Sequence, residues 1–254
     1  MMKTAFNSAF AFIILSPIIL SLSSLCLPGC SSPVEPAVAN PSAIADEPSL
    51  TDQIAAIRAG TTDIIFIESM SLRDTDLGAL VDIPGLRVLQ LDYADNMLTD
   101  TGMTEIAKLT QLEHLRIRGG SIGDDGLKAL STMPNLRALN LPQGKFTDTG
   151  LAHLKHLPKL QMLRIGSPNV TDKGIAEFKD FPSLSRVHLI DIPITNRGLA
   201  DLQAIPKLES LYLDGANISD AAVDELFRKR PNLHVHFNQA HHDRDPHKHD
   251  HSEP

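Results

Sequence analysis

The chain has 254 residues, a formal net charge of −8, no Trp and only 4% aromatic residues, so its core must be built mainly from aliphatic side chains. The acidic balance weighs against a general nucleic-acid binder, which needs a basic surface. Both cysteines lie within the first 30 residues, which leaves the rest of the chain without disulfides, cysteine metal ligands or a cysteine nucleophile.

Residues 1–29 have the features of an export signal. Lys3 supplies the positive start, and a mostly apolar stretch follows up to Leu27. The stretch ends in Leu27-Pro28-Gly29-Cys30, which resembles the lipobox of bacterial lipoproteins. That resemblance implies that Cys30 is lipid-modified and becomes the new N-terminus. We therefore expect an exported protein that is held on the cell envelope by a lipid anchor.

Other interpretations of this segment stay open. An ordinary secretory signal, cut near residues 37–39, would give a periplasmic or secreted protein, and an uncleaved apolar segment would act as a membrane anchor. By resemblance to Gram-negative lipoproteins, Ser31 after the cysteine favours the outer membrane. Residues 30–48 are rich in Pro, Ala and Ser, which is typical of a disordered tether.

Residues 49–61 are predicted to form a capping helix, and a 24-residue period occupies residues 62–237. Each unit begins with a leucine that is followed by apolar residues three and five positions later. These leucines lie 24 residues apart and are Leu112, Leu136, Leu160, Leu184 and Leu208. Alternation of apolar and polar residues predicts a short strand in the first half of each unit. Apolar residues at three-residue spacing, often ended by Pro, predict a helix of about two turns in the second half. A repeat of this length indicates stacked supersecondary units.

A Thr-Asp pair, or a close variant of it, recurs between strand and helix. Its acidic members form a column that comprises Asp74, Asp100, Asp124, Asp148, Asp172 and Asp220. We predict that these residues are N-caps of their own helices rather than catalytic acids or calcium ligands, because a capping carboxylate accepts backbone N–H bonds and faces the positive end of the helix dipole. The glycines two residues later are assigned to tight packing or turns.

The whole unit, L-x-x-L-x-L followed by I-T-D-x-G-L-x-x-L-x-x-L-P, resembles the leucine-rich repeats of bacterial and F-box-associated proteins. The resemblance implies an α/β solenoid, a curved horseshoe with parallel strands on the concave face and short helices on the convex face. It also implies about seven repeats and a closing strand at residues 233–237. The repeats begin near Thr62, Leu86, Leu112, Leu136, Leu160, Leu184 and Leu208.

Side chains at alternate strand positions face outward, and neighbouring strands lie about 4.8 Å apart. The predicted concave face therefore carries a set that we call the arginine–histidine patch: His114, Arg116, Arg118, Asn140, Arg164, Arg186, His188 and Tyr212. Its arginines can bind carboxylate, phosphate or sulfate groups, which predicts a protein partner or a glycan. The alternative is that these residues are solvated or paired with one another. A two-residue insertion at residues 92–96 marks either a binding edge or tolerated length variation.

The segment 238–254 is polar and is predicted to be disordered. Its histidines are candidate ligands for Zn²⁺, Cu²⁺ or Ni²⁺; they are His241, His242, His247, His249 and His251. A solvated tail with incidental metal affinity is the alternative. No other cofactor is expected.

No nucleophile elbow, zinc-protease helix or phosphate loop occurs, so we expect no enzyme. The sequence predicts a monomeric, protein-binding leucine-rich repeat lipoprotein of a bacterial envelope. Two alternatives are a metal-handling envelope protein that acts through the tail and a structural envelope component.

Overall fold

The computed structural model describes residues 48–68, 72–92, 97–238 and 240–241, and every structural statement below concerns these ranges. Eight parallel strands pair in chain order in one open sheet, and short helices connect them. The strands are β1 (Ile64–Ile67), β2 (Val88–Leu91), β3 (His114–Ile117), β4 (Ala138–Leu141), β5 (Met162–Ile165), β6 (Arg186–Ile190), β7 (Ser210–Asp214) and β8 (His234–Phe237). This arrangement is the predicted α/β leucine-rich repeat solenoid.

Most of the connecting helices have only one or two turns, and α7, with ten residues, is the longest. The α-helices are α1 (Leu50–Arg58), α2 (Asp100–Ile106), α3 (Asp124–Leu130), α4 (Asp148–His153), α5 (Asp172–Ile175), α6 (Asn196–Leu202) and α7 (Asp220–Lys229). The 3₁₀ helices are Asp74–Leu80, Leu154–His156 and Ala176–Asp180. Within the described ranges, no helix is long and apolar enough to cross a membrane.

The strand register aligns equivalent positions of successive repeats, so each buried side chain stacks on its counterpart. Leu115, Leu139 and Leu163 are Cα partners across β3, β4 and β5, and all three are buried. The strand residues directly before and after each of these leucines lie on the opposite, open face of the sheet, since side chains alternate along a strand. The core is thus one continuous stack of aliphatic layers between sheet and helices.

The aspartate column has a different role from the predicted one. The N-caps of α2, α4, α5 and α6 are threonines, whose hydroxyls accept the backbone N–H two residues later at 3.2 Å. The following residue is the first of the helix, an aspartate in α2, α4 and α5 and Asn196 in α6, and its side chain contacts the next repeat. Asp124, for example, accepts the backbone N–H and the hydroxyl of Thr147, both at 2.7 Å. The prediction that these aspartates cap their own helices was therefore wrong.

We call this set of contacts the aspartate–threonine ladder. It repeats from Asp148 to Thr171 and from Asp172 to Thr195 with distances of 2.6–2.9 Å. The glycine that follows each threonine by three positions is required by the same contact. A Cβ atom on Gly174 would lie 2.5 Å from the carboxylate of Asp148, closer than van der Waals contact allows.

Each end of the sheet is protected differently. Next to β1, the side-chain amide of Gln53 from α1 bonds the backbone of Phe66, accepting its N–H and donating to its C=O at 2.8 Å each. At the other end, Ala240 and His241 form a two-residue strand, β9, antiparallel to β8. The sequence placed these two residues in a disordered tail, so that prediction was wrong for them. Pairing after a turn at Asn238, which has a positive φ of 49°, explains the difference.

Several predictions lie outside the described residues. They concern the export signal, the tether up to residue 47, lipidation of Cys30, most of the insertion at residues 92–96, and His242, His247, His249 and His251.

Candidate binding surface on the open face of the sheet

The strand register arranges the open face in two parallel rows of side chains. The central row consists of consecutive Cα partners on β3 to β8, namely Arg116, Asn140, Arg164, His188, Tyr212 and His236. The neighbouring row consists of His114, Ala138, Met162, Arg186, Ser210 and His234. All predicted patch residues on strands therefore lie on this face, and Arg118 follows the end of β3.

At β3, two guanidinium groups share one carboxylate. Arg116 Nη2 lies 2.7 Å from Asp92 Oδ2, and Arg118 Nη1 lies 3.7 Å from the same oxygen. Asp92 is only 11% exposed, whereas half of the Arg118 side chain is in contact with solvent. The cluster thus keeps a net positive charge, with Arg118 at its accessible edge. Asp92 belongs to the insertion at residues 92–96, and its pairing with these arginines was not predicted from the sequence.

A chain of hydrogen bonds joins the next three strands. Arg164 Nη1 donates to Asn140 Oδ1 at 3.1 Å, and Arg164 Nε donates to His188 Nδ1 at 3.2 Å. His188 Nε2 lies 2.9 Å from Asp214 Oδ2. Since Nδ1 accepts the arginine proton, the network assigns the remaining proton of a neutral imidazole to Nε2, which donates to Asp214.

The electrostatics of this chain follow from burial and crowding. Burial lowers the pKa of His188, and the positive charge of Arg164 lowers it further, while the hydrogen bond to Asp214 acts in the opposite direction. Burial also lowers the pKa of Arg164, as do the nearby charges of Arg116 and Arg118. These three guanidinium groups are therefore close enough to repel one another. An anionic ligand group placed among them would relieve that repulsion.

The two outer members of the patch are less connected. His114 on β3 and Arg186 on β6 are exposed in the neighbouring row, three strands apart. Desolvation by neighbouring side chains lowers the pKa of His114, and the negative charge of Glu113 acts in the opposite direction. Neither residue takes part in the hydrogen bonds that join the central row in the described part of the chain. They enlarge the patch without holding its other side chains in place.

Aromatic rings close the C-terminal end of the open face. Tyr212 lies between His188, at 5.4 Å between ring centroids, and His236, on which it stacks at 4.5 Å. His234 packs edge-on against the same tyrosine at 5.7 Å. His234 and His236 lie in the closing strand predicted at residues 233–237, but their cluster with Tyr212 was not predicted. Their i, i+2 spacing was the available signal, because it puts both rings on one face.

The described residues contain no group of three or more His, Cys, Asp or Glu side chains placed to hold a metal ion. Of the histidines predicted in the C-terminal tail, only the backbone of His241 is described.

Comparisons with known proteins agree with this architecture. A family model described as Leucine Rich repeat matches residues 108–131, and no curated protein matches the chain. An internalin from Listeria monocytogenes superposes with a TM-score of 0.57 at 19% identity, over 75% of this chain and 52% of the internalin. A leucine-rich repeat protein from Leptospira interrogans gives a TM-score of 0.44 at 14% identity, over 72% of this chain and 51% of that protein. The chain thus spans about half the length of these solved structures, and the similarity to the internalin shows a common fold.

Proposed function

We propose that this chain is a non-enzymatic binding protein whose arginine–histidine patch holds an acidic segment of a protein partner. Stacked repeats present extended surfaces that commonly bind other proteins. The observation that carries the proposal is the clustering of Arg116, Arg118 and Arg164 on a protein with a net charge of −8. Among the described residues, the first two of these arginines are paired with one carboxylate, that of Asp92.

The spacing of the cluster indicates what kind of segment fits. Arg116 and Arg164 are two strands apart in the central row, a separation of about 10 Å. A peptide in the polyproline II conformation advances about 3.1 Å per residue with three residues per turn, so acidic residues three positions apart point to the same side and match that separation. Arg164 uses two of its five N–H donors for Asn140 and His188, which leaves others to bond a carboxylate.

The proposal is tested with a fluorescent peptide that carries Glu at every third position. In the patch variant, Arg118, Arg164 and Arg186 are changed to Gln. In the control variant, the same charge is removed from the exposed helix residues Lys128, Lys173 and Arg197. We expect the patch variant to bind at least about tenfold more weakly, since each lost charge-assisted bond is worth 1.5–3 kcal/mol, and the control to bind like the native chain.

Other outcomes of the same titration are informative. Equal weakening of both variants would mean that the peptide responds to overall charge, which contradicts the proposal. Binding of a sulfated oligosaccharide, with none of the peptide, would contradict a protein partner and favour a glycan. Because screening weakens exposed ion pairs, specific binding should also weaken when salt is raised from about 0.05 to 0.5 M.

We further propose that the protein is a lipoprotein of the bacterial envelope, anchored through Cys30. The support is the lipobox resemblance of residues 27–30. In a Gram-negative host, the full chain should incorporate labelled fatty acid and sediment with outer-membrane fractions, and Cys30→Ala should abolish both. Cys26→Ala is the matched control and should change neither. Labelling that depends on Cys26, or none at all, would contradict the anchor.

A further inference from the structure

The last parallel strand carries two histidines whose rings converge on the open face. His234 and His236 lie at i and i+2 of β8, so both point to the same side of the sheet. Their Nε2 atoms are 2.9 Å apart, and the ring planes meet at 70°. In the absence of an ion, this distance requires that one neutral ring donates its Nε2 proton to the other.

The same distance matches a pair of metal ligands. Two imidazole nitrogens at 2.0–2.1 Å from an ion are about 2.9 Å apart when they subtend about 90°, and about 3.3 Å apart at the tetrahedral angle. The right-angled arrangement is typical of tetragonal Cu²⁺ and Ni²⁺, whereas Zn²⁺ favours the tetrahedral one. We propose that His234 and His236 form a two-histidine chelate for Cu²⁺ or Ni²⁺.

The surroundings hold the two rings in this arrangement. Tyr212 stacks on His236 with an interplanar angle of 22° and packs edge-on against His234. Both histidines are half-buried, so their ring orientations are restrained before an ion arrives. When the ion binds, it takes the place of the shared Nε2 proton, and the ring that loses this proton takes one up at Nδ1, so both histidines coordinate as neutral imidazoles and no net proton is released. Water occupies the remaining coordination positions in the simplest form of the site.

This site goes beyond the proposed binding function, and it differs from the metal binding predicted for the C-terminal tail. A flexible histidine tract must order itself around an ion, whereas the strand pair is already positioned. The register places residue 241 opposite His236, so the tail starts beside the pair and can add further ligands. A decisive experiment must therefore remove the tail histidines first.

The experiment uses the full chain with the five tail histidines, His241, His242, His247, His249 and His251, changed to Ala. Tyr93→Phe is added, because the chain has no Trp and only two Tyr, so that Tyr212 becomes the sole strong fluorophore. Titration with CuCl₂ should quench Tyr212 emission with one equivalent of ion. The electron paramagnetic resonance spectrum should show coupling to two imidazole nitrogens.

Changing His234 and His236 to Gln in that background should weaken Cu²⁺ binding at least about tenfold. The matched control changes two histidines elsewhere, His153 and His156, to Gln and should leave binding unaltered. His234→Gln alone keeps the Tyr212–His236 stack and should also abolish the two-nitrogen signal, which keeps the test valid if the double variant unfolds. Quenching that disappears with the tail histidines, or that persists in the His234 and His236 variants, would overturn the proposal.

Discussion

At the scale of single residues, the aspartate–threonine ladder joins each repeat to the next. Asp124 accepts three hydrogen bonds from the following repeat, two from Thr147 and one from the backbone N–H of Gly150 at 3.1 Å. Two of the donors are backbone groups at the start of α4, which have no partner within their own helix. The carboxylate of one repeat thereby accepts hydrogen bonds from backbone N–H groups at the helix start of the next repeat, which have no acceptor in their own helix.

Asp124→Ala should lower the free energy of unfolding by about 1–3 kcal/mol, because it leaves half-buried donors without an acceptor. Asp124→Asn should cost about 1 kcal/mol or less, since the chain itself uses an amide at the equivalent position. There, Asn196 accepts the N–H of Ser219 at 2.9 Å and donates to its hydroxyl at 3.0 Å. Urea denaturation measures both changes.

The control is Asp125→Ala, which removes an exposed carboxylate from the same helical turn. It should change stability by no more than about 0.5 kcal/mol. A loss as large as that of Asp124→Ala would show that the effect comes from helix electrostatics and not from the ladder.

His188 should make the stability depend on pH. Burial and Arg164 lower its pKa, so the folded protein holds the ring neutral while the unfolded chain protonates it below about pH 6.5. Because the unfolded state then binds more protons, the free energy of unfolding should fall as the pH drops through this value. His188→Gln should reduce that slope, measured by urea denaturation between about pH 5 and 7.5.

An exposed histidine provides the comparison for this effect. His156→Gln should leave the pH slope as it is in the native chain. If His188→Gln and the native chain have the same slope, the neutral ring inferred from the Arg164 and Asp214 contacts is wrong.

At the scale of secondary-structure elements, α1 completes the first strand rather than merely covering apolar surface. Its Gln53 amide meets the N–H and C=O of Phe66, as a neighbouring strand would. An edge strand with unpaired backbone groups is a template for pairing with another chain, and a covering element prevents it.

Gln53→Ala should therefore increase self-association, and it should lower the free energy of unfolding by about 1–2 kcal/mol. Sedimentation velocity would show a concentration-dependent dimer that the native chain lacks. Gln53→Glu still accepts the Phe66 N–H but cannot donate to its C=O, so it should give an intermediate effect. A variant that stays monomeric at high concentration would show that α1 protects the edge by burial alone.

Elements were more predictable than the contacts between them. Alternation and three-residue spacing locate strands and helices because each depends on local residues, as at Leu139 in β4 and Leu151 in α4. The partner of Asp124 was not predictable in this way, since a carboxylate beside a helix start satisfies the rule for a cap whether it faces its own helix or the next. Asp92 paired with Arg116 across 24 residues, and only the register of β2 and β3 shows it.

At the scale of the whole solenoid, each repeat packs on the repeats beside it, and the buried leucines form a line of layers. Stability in such a molecule is approximately a sum of repeat and interface contributions along one dimension. Damage near one end should therefore spread to that end, whereas damage near the middle should affect the repeats on both sides. Leu139 in β4 and Leu211 in β7 are fully buried at equivalent positions, which makes them a matched pair.

Each leucine changed to Ala should cost about 2–5 kcal/mol. In hydrogen exchange, Leu211→Ala should accelerate exchange in β7 and β8 and leave β1 to β4 protected, whereas Leu139→Ala should accelerate exchange on both sides of β4. Uniform acceleration in both variants would mean that the solenoid unfolds only as a whole.

The ladder also bears on how such a chain changes length over time. Every ladder repeat presents an acceptor to its successor and donors to its predecessor, so the junction from Asp124 to Thr147 has the same chemistry as the junction from Asp148 to Thr171. A duplicated or deleted 24-residue segment would recreate an existing junction rather than require a new one. Copy number is thus open to variation within the array, while the Gln53 cap and the pairing of β9 restrict the first and last units to their places.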